Sequence, residues 1–364
     1  MKVALIGASG FVGTRLIEKY HLGGGPTVAA IVRQPSSLAL PSRFAMETHV
    51  ADALDVDAMA RAMSGCSVVI HAASGDPAQM ERMPAALCLA ASAADVRRLV
   101  YLSCAFVHGQ NPPSGTDEAT VLDPHQPFEY NAAKVKAEQK FFSECARHSL
   151  VGFALRPGVI YGPRSRWTAE LATDLLEKRA WLYQGGSGIC NCIYIDNLIT
   201  AITGCLHAPD NAAGTYLVGD GETVTWEQFY RAAALELDVP WGTIHQLAKL
   251  PGFERSWQDR AATASAHPFV QRLLPLVPPG LKRSAKAMIA ASAASTGMDA
   301  WTLPAGPLPR LTHEMALLQQ CTWKLPQGRA EHNLDYRPDV SFADASRRSF
   351  AWWKFAQGQV SFAA

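Results

Sequence analysis

The loop Gly7-Ala-Ser-Gly-Phe-Val-Gly13 follows directly on the apolar run Val3–Ile6. A short apolar run reads as a buried strand, and glycines spaced three apart behind it read as a tight turn into a helix. Such a turn gathers backbone N–H groups and the positive end of a helix dipole at one point, which suits a dinucleotide pyrophosphate. Glycines also serve plain turns, so the strand before the loop and the helix after it carry the argument. Gly7, Ser9, Gly10, Phe11, Val12 and Gly13 are therefore read as cofactor-binding. About twenty residues on, an acid would hold the free 2′-hydroxyl of NAD and an arginine would suit a 2′-phosphate. Arg33 stands there, in Ile-Val-Arg-Gln-Pro-Ser-Ser, and no acid occurs before Glu47. NADP is favoured over NAD as the cofactor.

Up to about residue 160, short β-rich runs alternate with helical stretches. Strands are expected at residues 2–7, 28–33, 48–51, 68–72, 99–103 and 152–156, and helices at 12–21, 56–63, 84–94 and 130–148. This alternation predicts an α/β fold with a Rossmann-type, doubly wound parallel sheet. Asp52 and the triplet His71-Ala72-Ala73 close the third and fourth strands, at the carboxyl edge where ligands of such sheets bind. Beyond residue 165 a helix is expected at 168–178, a strand at 193–196 leading into a helix from 197, and a short strand at 216–218. The stretch from 226 to about 319 reads as mostly helical, broken by Pro268, Pro275, Pro278, Pro279, Pro304, Pro307 and Pro309. It holds Trp241, Trp257, Trp301 and the apolar run 269–277, and reads equally as a lid over an apolar pocket or as a lobe with its own core. The expected organisation is a dinucleotide domain at 1–165, with returns from about 190–220, and a smaller, mostly helical C-terminal substrate lobe at 166–189 and 221–345.

Composition removes several alternatives. A formal charge of +1 without basic or acidic blocks argues against a nucleic-acid partner. No apolar run long enough for a transmembrane helix is free of charges or prolines, and no leader pattern is visible, so a cytoplasmic protein is expected. The eight cysteines lie in apolar segments without disulfide-framework or zinc-ligand spacing and are expected to be buried free thiols. No metal site is expected. A small molecule is the expected partner, with a homodimer as the oligomer considered.

Tyr130 and Lys134 stand four apart in Tyr-Asn-Ala-Ala-Lys, a spacing that puts both on one helix face. An ammonium beside a phenol favours the phenolate, so the pair can move a proton at a substrate oxygen near neutral pH. Proton transfer beside a nicotinamide is carbonyl/alcohol redox chemistry.

In their order these motifs resemble the extended short-chain dehydrogenase/reductase superfamily, of the NAD-dependent epimerase/dehydratase type. That group includes nucleotide-sugar epimerases and 3β-hydroxysteroid dehydrogenases. The likeness runs through the glycine loop, His71-Ala-Ala73, the segment Tyr101-Leu-Ser-Cys-Ala-Phe-Val-His-Gly109, the Tyr130/Lys134 pair and Arg156-Pro-Gly-Val-Ile-Tyr-Gly-Pro-Arg164. It continues through Ile193-Tyr-Ile-Asp196-Asn197 and Leu334-Asp-Tyr-Arg-Pro338.

The resemblance implies that Tyr130 is the general acid/base and that Lys134 lowers its pKa and holds the nicotinamide ribose. It also places Pro157, Gly158 and Val159 under the nicotinamide. Two departures stand out. Cys104 occupies the place of the family's Ser or Thr, with Ser103 adjacent but on the opposite face of a regular strand. Ala85-Ala86-Leu87 replaces an Asn-Val-x-Gly-Thr-like helix opening. Asn191-Cys192-Ile193 stands where sugar-nucleotide members carry Arg-Asp-Phe, and the tail Leu308-Pro-Arg-Leu-Thr-His-Glu314 resembles the 3β-hydroxysteroid dehydrogenase branch.

The leading expectation is hydride transfer between NADP(H) and a secondary alcohol or ketone on a largely apolar substrate. The alternatives are a nucleotide-sugar epimerase or dehydratase that retains its nicotinamide, with Arg164, Arg166 and Arg255 available to a pyrophosphate, and a non-catalytic dinucleotide sensor.

Overall fold

The apolar runs become strands in the computed structural model, which describes residues 1–253 and 307–358. β1 (Lys2–Ile6), β2 (Thr27–Val32), β3 (Glu47–Val50), β4 (Val68–His71), β5 (Arg98–Leu102), β6 (Val151–Pro157) and β11 (Gly214–Val218) form one seven-stranded sheet. The order is β3-β2-β1-β4-β5-β6-β11 and every pairing is parallel. Both faces are covered, which is why the strands are apolar at successive positions rather than alternate ones. Val3 and Leu5 pack on one face with α1 (Phe11–Leu22) and α6 (Ile195–His207). Ala4 and Ile6 pack on the other with α2 (Val56–Met63), α3 (Pro77–Ala93) and α4 (Glu129–Arg147).

Strand order reverses between β1 and β4, and at such a switch point a crevice opens at the carboxyl ends of the strands. A part-buried ion pair ties the two helices of the first face. Arg15 of α1 donates from Nε and Nη2 to the two carboxylate oxygens of Asp196 at 2.7 and 2.9 Å.

Most elements lie within a few residues of their sequence-predicted places, and α2 coincides. Helix α3 differs: it begins at Pro77, and Pro84 lies in its interior instead of at its start. The Asp76 side chain accepts from Gln79 N at 3.1 Å, and proline at the first helical position needs no donor.

Outside the main sheet, β7 (Val159–Tyr161) pairs with β10 (Cys192–Tyr194), β9 (Ile189–Cys190) with β12 (Val224–Thr225), and β8 (Trp181–Tyr183) with β13 (His245–Leu247). The last pairing places a short strand, β13, in the stretch after 226 that the sequence reads as mostly helical. Helix α7 (Trp226–Glu236) ends where Asp238 takes a left-handed conformation, φ 56°, and Pro240 cannot continue it. Three further helices follow: α8 (His313–Leu318), α9 (Gly328–Asn333) and α10 (Phe342–Ala356). Trp257, Trp301, Arg255, the 269–277 run and Pro268, Pro275, Pro278, Pro279 and Pro304 lie outside the described residues. All eight cysteines are free and buried, and no helix among the described residues is long and apolar enough to cross a membrane.

Candidate active site

The glycine loop sits at the crevice between β1 and β4. Gly7 has φ 84°, and a Cβ there would lie 2.7 Å from Ala73 N and 2.9 Å from Ala72 O. A Cβ on Gly13 would lie 2.2 Å from Gly7 O. Both glycines are needed for the loop to close on the strand beside it. Helix α1 starts at Phe11 after Gly10, with no side-chain cap on its first turn. The backbone N–H groups of Phe11, Val12 and Gly13 therefore point out of the helix end beside Ser9. Ala72 is fixed across the crevice by its N–H to Ile6 O at 2.9 Å.

Arg33 is exposed immediately after β2, and Asp52 is exposed after β3, where its carboxylate accepts from Leu54 N at 2.9 Å. A cradle closed by missing Cβ atoms, an uncapped helix start and a guanidinium at the next strand end fit a nicotinamide dinucleotide.

Tyr130 and Lys134 lie on α4, one turn apart, above the end of β5. Lys134 is buried, and its Nζ donates to Leu102 O at 2.9 Å. It stands 5.8 Å from the centre of the Tyr130 ring and 5.5 Å from that of Tyr101. Burial holds the Lys134 pKa below its ordinary value, with Cys104 and Glu138 pulling it back up. Burial first, then Cys104 and Tyr101, pushes the Tyr130 phenol up, with Ser74 and Arg166 acting the other way. The residue is 39% exposed. The expectation of a phenol lowered by Lys134 is thus corrected: the ammonium is anchored on a β5 carbonyl, and burial sets the direction of the shift.

The two candidates at the end of β5 separate. Ser103 faces away from Tyr130, and its Oγ donates to Glu138 Oε2 at 2.5 Å. Glu138 is itself paired with Arg156, which donates from Nη2 at 2.5 Å and from Nε at 3.1 Å, and both partners are buried. Arg156 also reaches His108 Nε2 at 3.0 Å. Cys104 lies on the Tyr130 side, packed with Val107 and Val135, and burial raises its thiol to about 11. It is a weak, neutral donor in place of a hydroxyl.

Glu138, Ser74 and the buried Gln110–Asn131 amide pair, with Asn131 Nδ2 donating at 2.9 Å, are site-forming residues that the sequence reading did not single out. Glu138 continues the Tyr130, Lys134 spacing by one more turn, and that signal was available.

His71 closes β4 beneath the pair. It is 2% exposed, stacks on Tyr101 with ring centres 5.3 Å apart, and neither ring nitrogen has a hydrogen-bond partner. Burial, then the charge of Lys134, lowers its pKa to about 3.

Pro157, Gly158 and Val159 link β6 to β7. A Cβ on Gly158 would lie 1.9 Å from Asn191 O, and Val159 N donates to the same oxygen at 2.9 Å. Asn191, in the triplet that departs from the sugar-nucleotide pattern, fixes the tail: its Nδ2 donates to Trp323 O and its Oδ1 accepts from Leu325 N, both at 2.9 Å. Beyond Val159 lies a cavity of about 240 Å³, walled by α5 (Arg166–Leu176), α7 and the segment from Arg310 to Met315. Arg166 and Glu314 are among its lining residues, whereas Tyr130, Lys134 and Cys104 are not.

Residues 3–219 match the model of the NAD-dependent epimerase/dehydratase family. The chain belongs to that family. As an extended short-chain dehydrogenase/reductase it is a nicotinamide-dependent enzyme, an oxidoreductase by class. Among curated relatives, the 3-diazoavenalumate denitrifying reductase of a Streptomyces species is 32% identical over 295 residues, covering 72% of this chain and 94% of that one. A decarboxylating sterol-4-alpha-carboxylate 3-dehydrogenase of Dictyostelium discoideum is 22% identical over 270 residues, covering 68% and 80%. In fold the chain is similar to a solved dTDP-glucose 4,6-dehydratase of Streptomyces venezuelae, with TM-score 0.68, 18% identity and coverage of 99% and 98%.

Proposed function

We propose that the protein is an NADP-dependent reductase that interconverts a ketone and a secondary alcohol on a largely apolar substrate, with Tyr130 as the general acid/base. The observation that carries this reading is the Tyr130–Lys134 pair, one helical turn apart beside Cys104 at the end of β5, on the same sheet as the glycine loop at the β1/β4 crevice. A phenol kept protonated at neutral pH is set to give a proton to a carbonyl oxygen as it gains hydride, which is the reductive direction. The bound nicotinamide supplies or accepts that hydride.

In this reading the glycine loop and the first turn of α1 hold the pyrophosphate, Arg33 pairs with a 2′-phosphate, and Asp52 and Ala72–Ala73 line the adenosine side of the crevice. Lys134 holds the ribose, and residues 157–159 back the nicotinamide. Residues 1–165, with the returns at 190–220, carry the cofactor, while 166–189 and 221–345 shape the substrate site. The reductase among the relatives supports redox turnover, and the UDP-glucose 4-epimerase of Vibrio cholerae, 26% identical over 255 residues, supports the epimerase reading that the test below separates from it. A cytoplasmic setting and a homodimer accompany this proposal.

The test is a panel of ketones, alcohols and sugar nucleotides followed by nicotinamide absorbance with both cofactors. Ketone-dependent NADPH oxidation that Tyr130→Phe abolishes while NADPH binding persists is the expected result. NADPH should bind more tightly than NADH, and Arg33→Asp should remove roughly 1–3 kcal/mol of that binding. Turnover of a sugar nucleotide without net absorbance change, with every ketone inert, would replace this reading by the epimerase.

A further inference from the structure

Helix α4 carries three proton-bearing side chains at four-residue spacing, Tyr130, Lys134 and Glu138. The first is accessible, whereas Lys134 and Glu138 are 3% and 2% exposed. The hydrogen-bond partner of Lys134 is a neutral group, the Leu102 carbonyl. Such a carbonyl orients an ammonium but offsets little of the cost of burying its charge. A buried lysine with neutral neighbours alone gives up its proton.

The groups around Lys134 leave one source of negative charge among the described residues. From β4 comes His71, held neutral by burial. From β5 comes the Tyr101 phenol, pushed up by burial, and from the end of that strand the Cys104 thiol, raised by burial to about 11. From α4 come the Tyr130 phenol, also pushed up by burial, and, one turn on, Glu138. The phenols and the thiol are neutral at neutral pH, whereas Glu138 is a carboxylate in an ion pair with Arg156 of β6. Glu138 also accepts from Ser103 Oγ at 2.5 Å. Lys134 thus meets the carbonyl of Leu102 while Glu138 meets the side chain of the next residue, so the two charges end at one place on β5. Arg156 Nη1 goes elsewhere, donating to His108 Nε2 at 3.0 Å and to Glu118 O at 3.4 Å. The ionisation of Lys134 responds to burial first, then to Cys104 and Glu138.

We propose that Glu138 is a positioning residue for the reaction: through space, its carboxylate keeps the buried Lys134 ammonium charged one helical turn from Tyr130. The consequence for turnover rests on the reading of this site as a reductase centre; the charge on Lys134 does not. In that reading Tyr130 passes its proton to the substrate oxygen and becomes a phenolate, which a charged Lys134 stabilises.

The experiment measures urea unfolding of the full chain, of Glu138→Gln, of Lys134→Met and of the two combined, from about pH 7 to about pH 10. Folding lowers the Lys134 pKa from its ordinary 10.5, so the unfolded chain holds that proton more tightly. Removing the Glu138 charge lowers the folded value further, and the added penalty exists only while Lys134 is charged. The stability lost in Glu138→Gln should therefore shrink as pH rises across this range, and should not vary with pH when residue 134 is Met. Should the single variant not fold, the same loss is read between Arg156→Gln and its combination with Glu138→Gln, which leaves no buried guanidinium unpaired. The same shrinkage is expected there. In ketone reduction the alkaline limb of kcat/KM should move down by about one pH unit in Glu138→Gln, and return in Glu138→Asp, which keeps the charge. A loss that is constant with pH, a pH dependence that persists in Lys134→Met, or an unmoved alkaline limb overturns the proposal. The expected unfolding behaviour with no ketone reduced by either cofactor upholds the charge on Lys134 and overturns the reductase reading.

Discussion

At the scale of single residues, the site turns on which side chain at the end of β5 faces Tyr130. Cys104 does, and its thiol donates weakly, so in the proposed reaction the phenol would carry most of the work at the carbonyl oxygen. Cys104→Ser should keep or raise kcat, because a hydroxyl donates better than a thiol. Ser103→Ala should leave kcat near its original value while costing about 1–3 kcal/mol of stability, since buried Glu138 loses a donor. Steady-state rates and urea unfolding of the two variants separate these effects, and a collapse of kcat in Ser103→Ala would move the substrate contact to Ser103.

His71 makes a different prediction. Its folded pKa of about 3 lies below its ordinary 6.5, so the unfolded chain takes up a proton that the folded chain refuses. Stability is therefore lost as pH falls below 6.5. By pH 4.5 the loss from this one group is on the order of 2–3 kcal/mol. His71→Phe keeps the stack on Tyr101 and removes the titration, so its unfolding free energy should fall less on acidification. Parallel slopes for the two proteins would show that His71 is not the group responsible.

At the scale of elements, the glycine loop and α4 illustrate two kinds of constraint. The loop is constrained by space: a Cβ on Gly13 meets Gly7 O at 2.2 Å, so α1 cannot keep its place over β1. Gly13→Ala should abolish measurable NADPH binding in a fluorescence titration, and retention of normal affinity would mean that the loop relaxes without moving the helix start. Helix α4 is constrained by charge. Lys134 is anchored to β5 through Leu102 O, and Glu138 is anchored to β6 through Arg156 and to β5 through Ser103. Such a buried pair fixes geometry more dependably than it adds stability. Here it sets the height and rotation of the helix that carries Tyr130.

At the scale of the molecule, the C-terminal tail is bound into the substrate side by Asn191. One side-chain amide receives Leu325 and reaches Trp323, while its backbone oxygen receives Val159. The tail and the start of β7, the strand proposed to back the nicotinamide, are thereby held at one point. Asn191→Ala removes the partner of the Leu325 N–H and leaves Trp323 O only the weak Cys321 thiol, and should cost about 1–3 kcal/mol in chemical denaturation. Because α8 also lines the cavity, KM for a turned-over ketone should rise more than kcat falls. An unchanged denaturation midpoint would show that the tail is held by its other contacts.

The parallel sheet, the glycine loop and the Tyr130/Lys134 face were legible in the sequence because each rests on local pattern: apolar runs of strand length, glycines at fixed spacing, and a Tyr and Lys one helical turn apart. The start of α3 was legible too, in Asp76-Pro77, but Pro84 drew the boundary forward. Other features depend on residues far apart in the chain. Ser103 meets Glu138, which in turn holds Arg156, across three elements, and burial raises the Tyr130 phenol against Ser74 and Arg166. The cavity joins α5 and α7 to a segment more than seventy residues further along. Sequence determined which groups the protein owns and their local geometry; tertiary packing decided how far each is stripped of water, and hence which proton-bearing group faces the substrate.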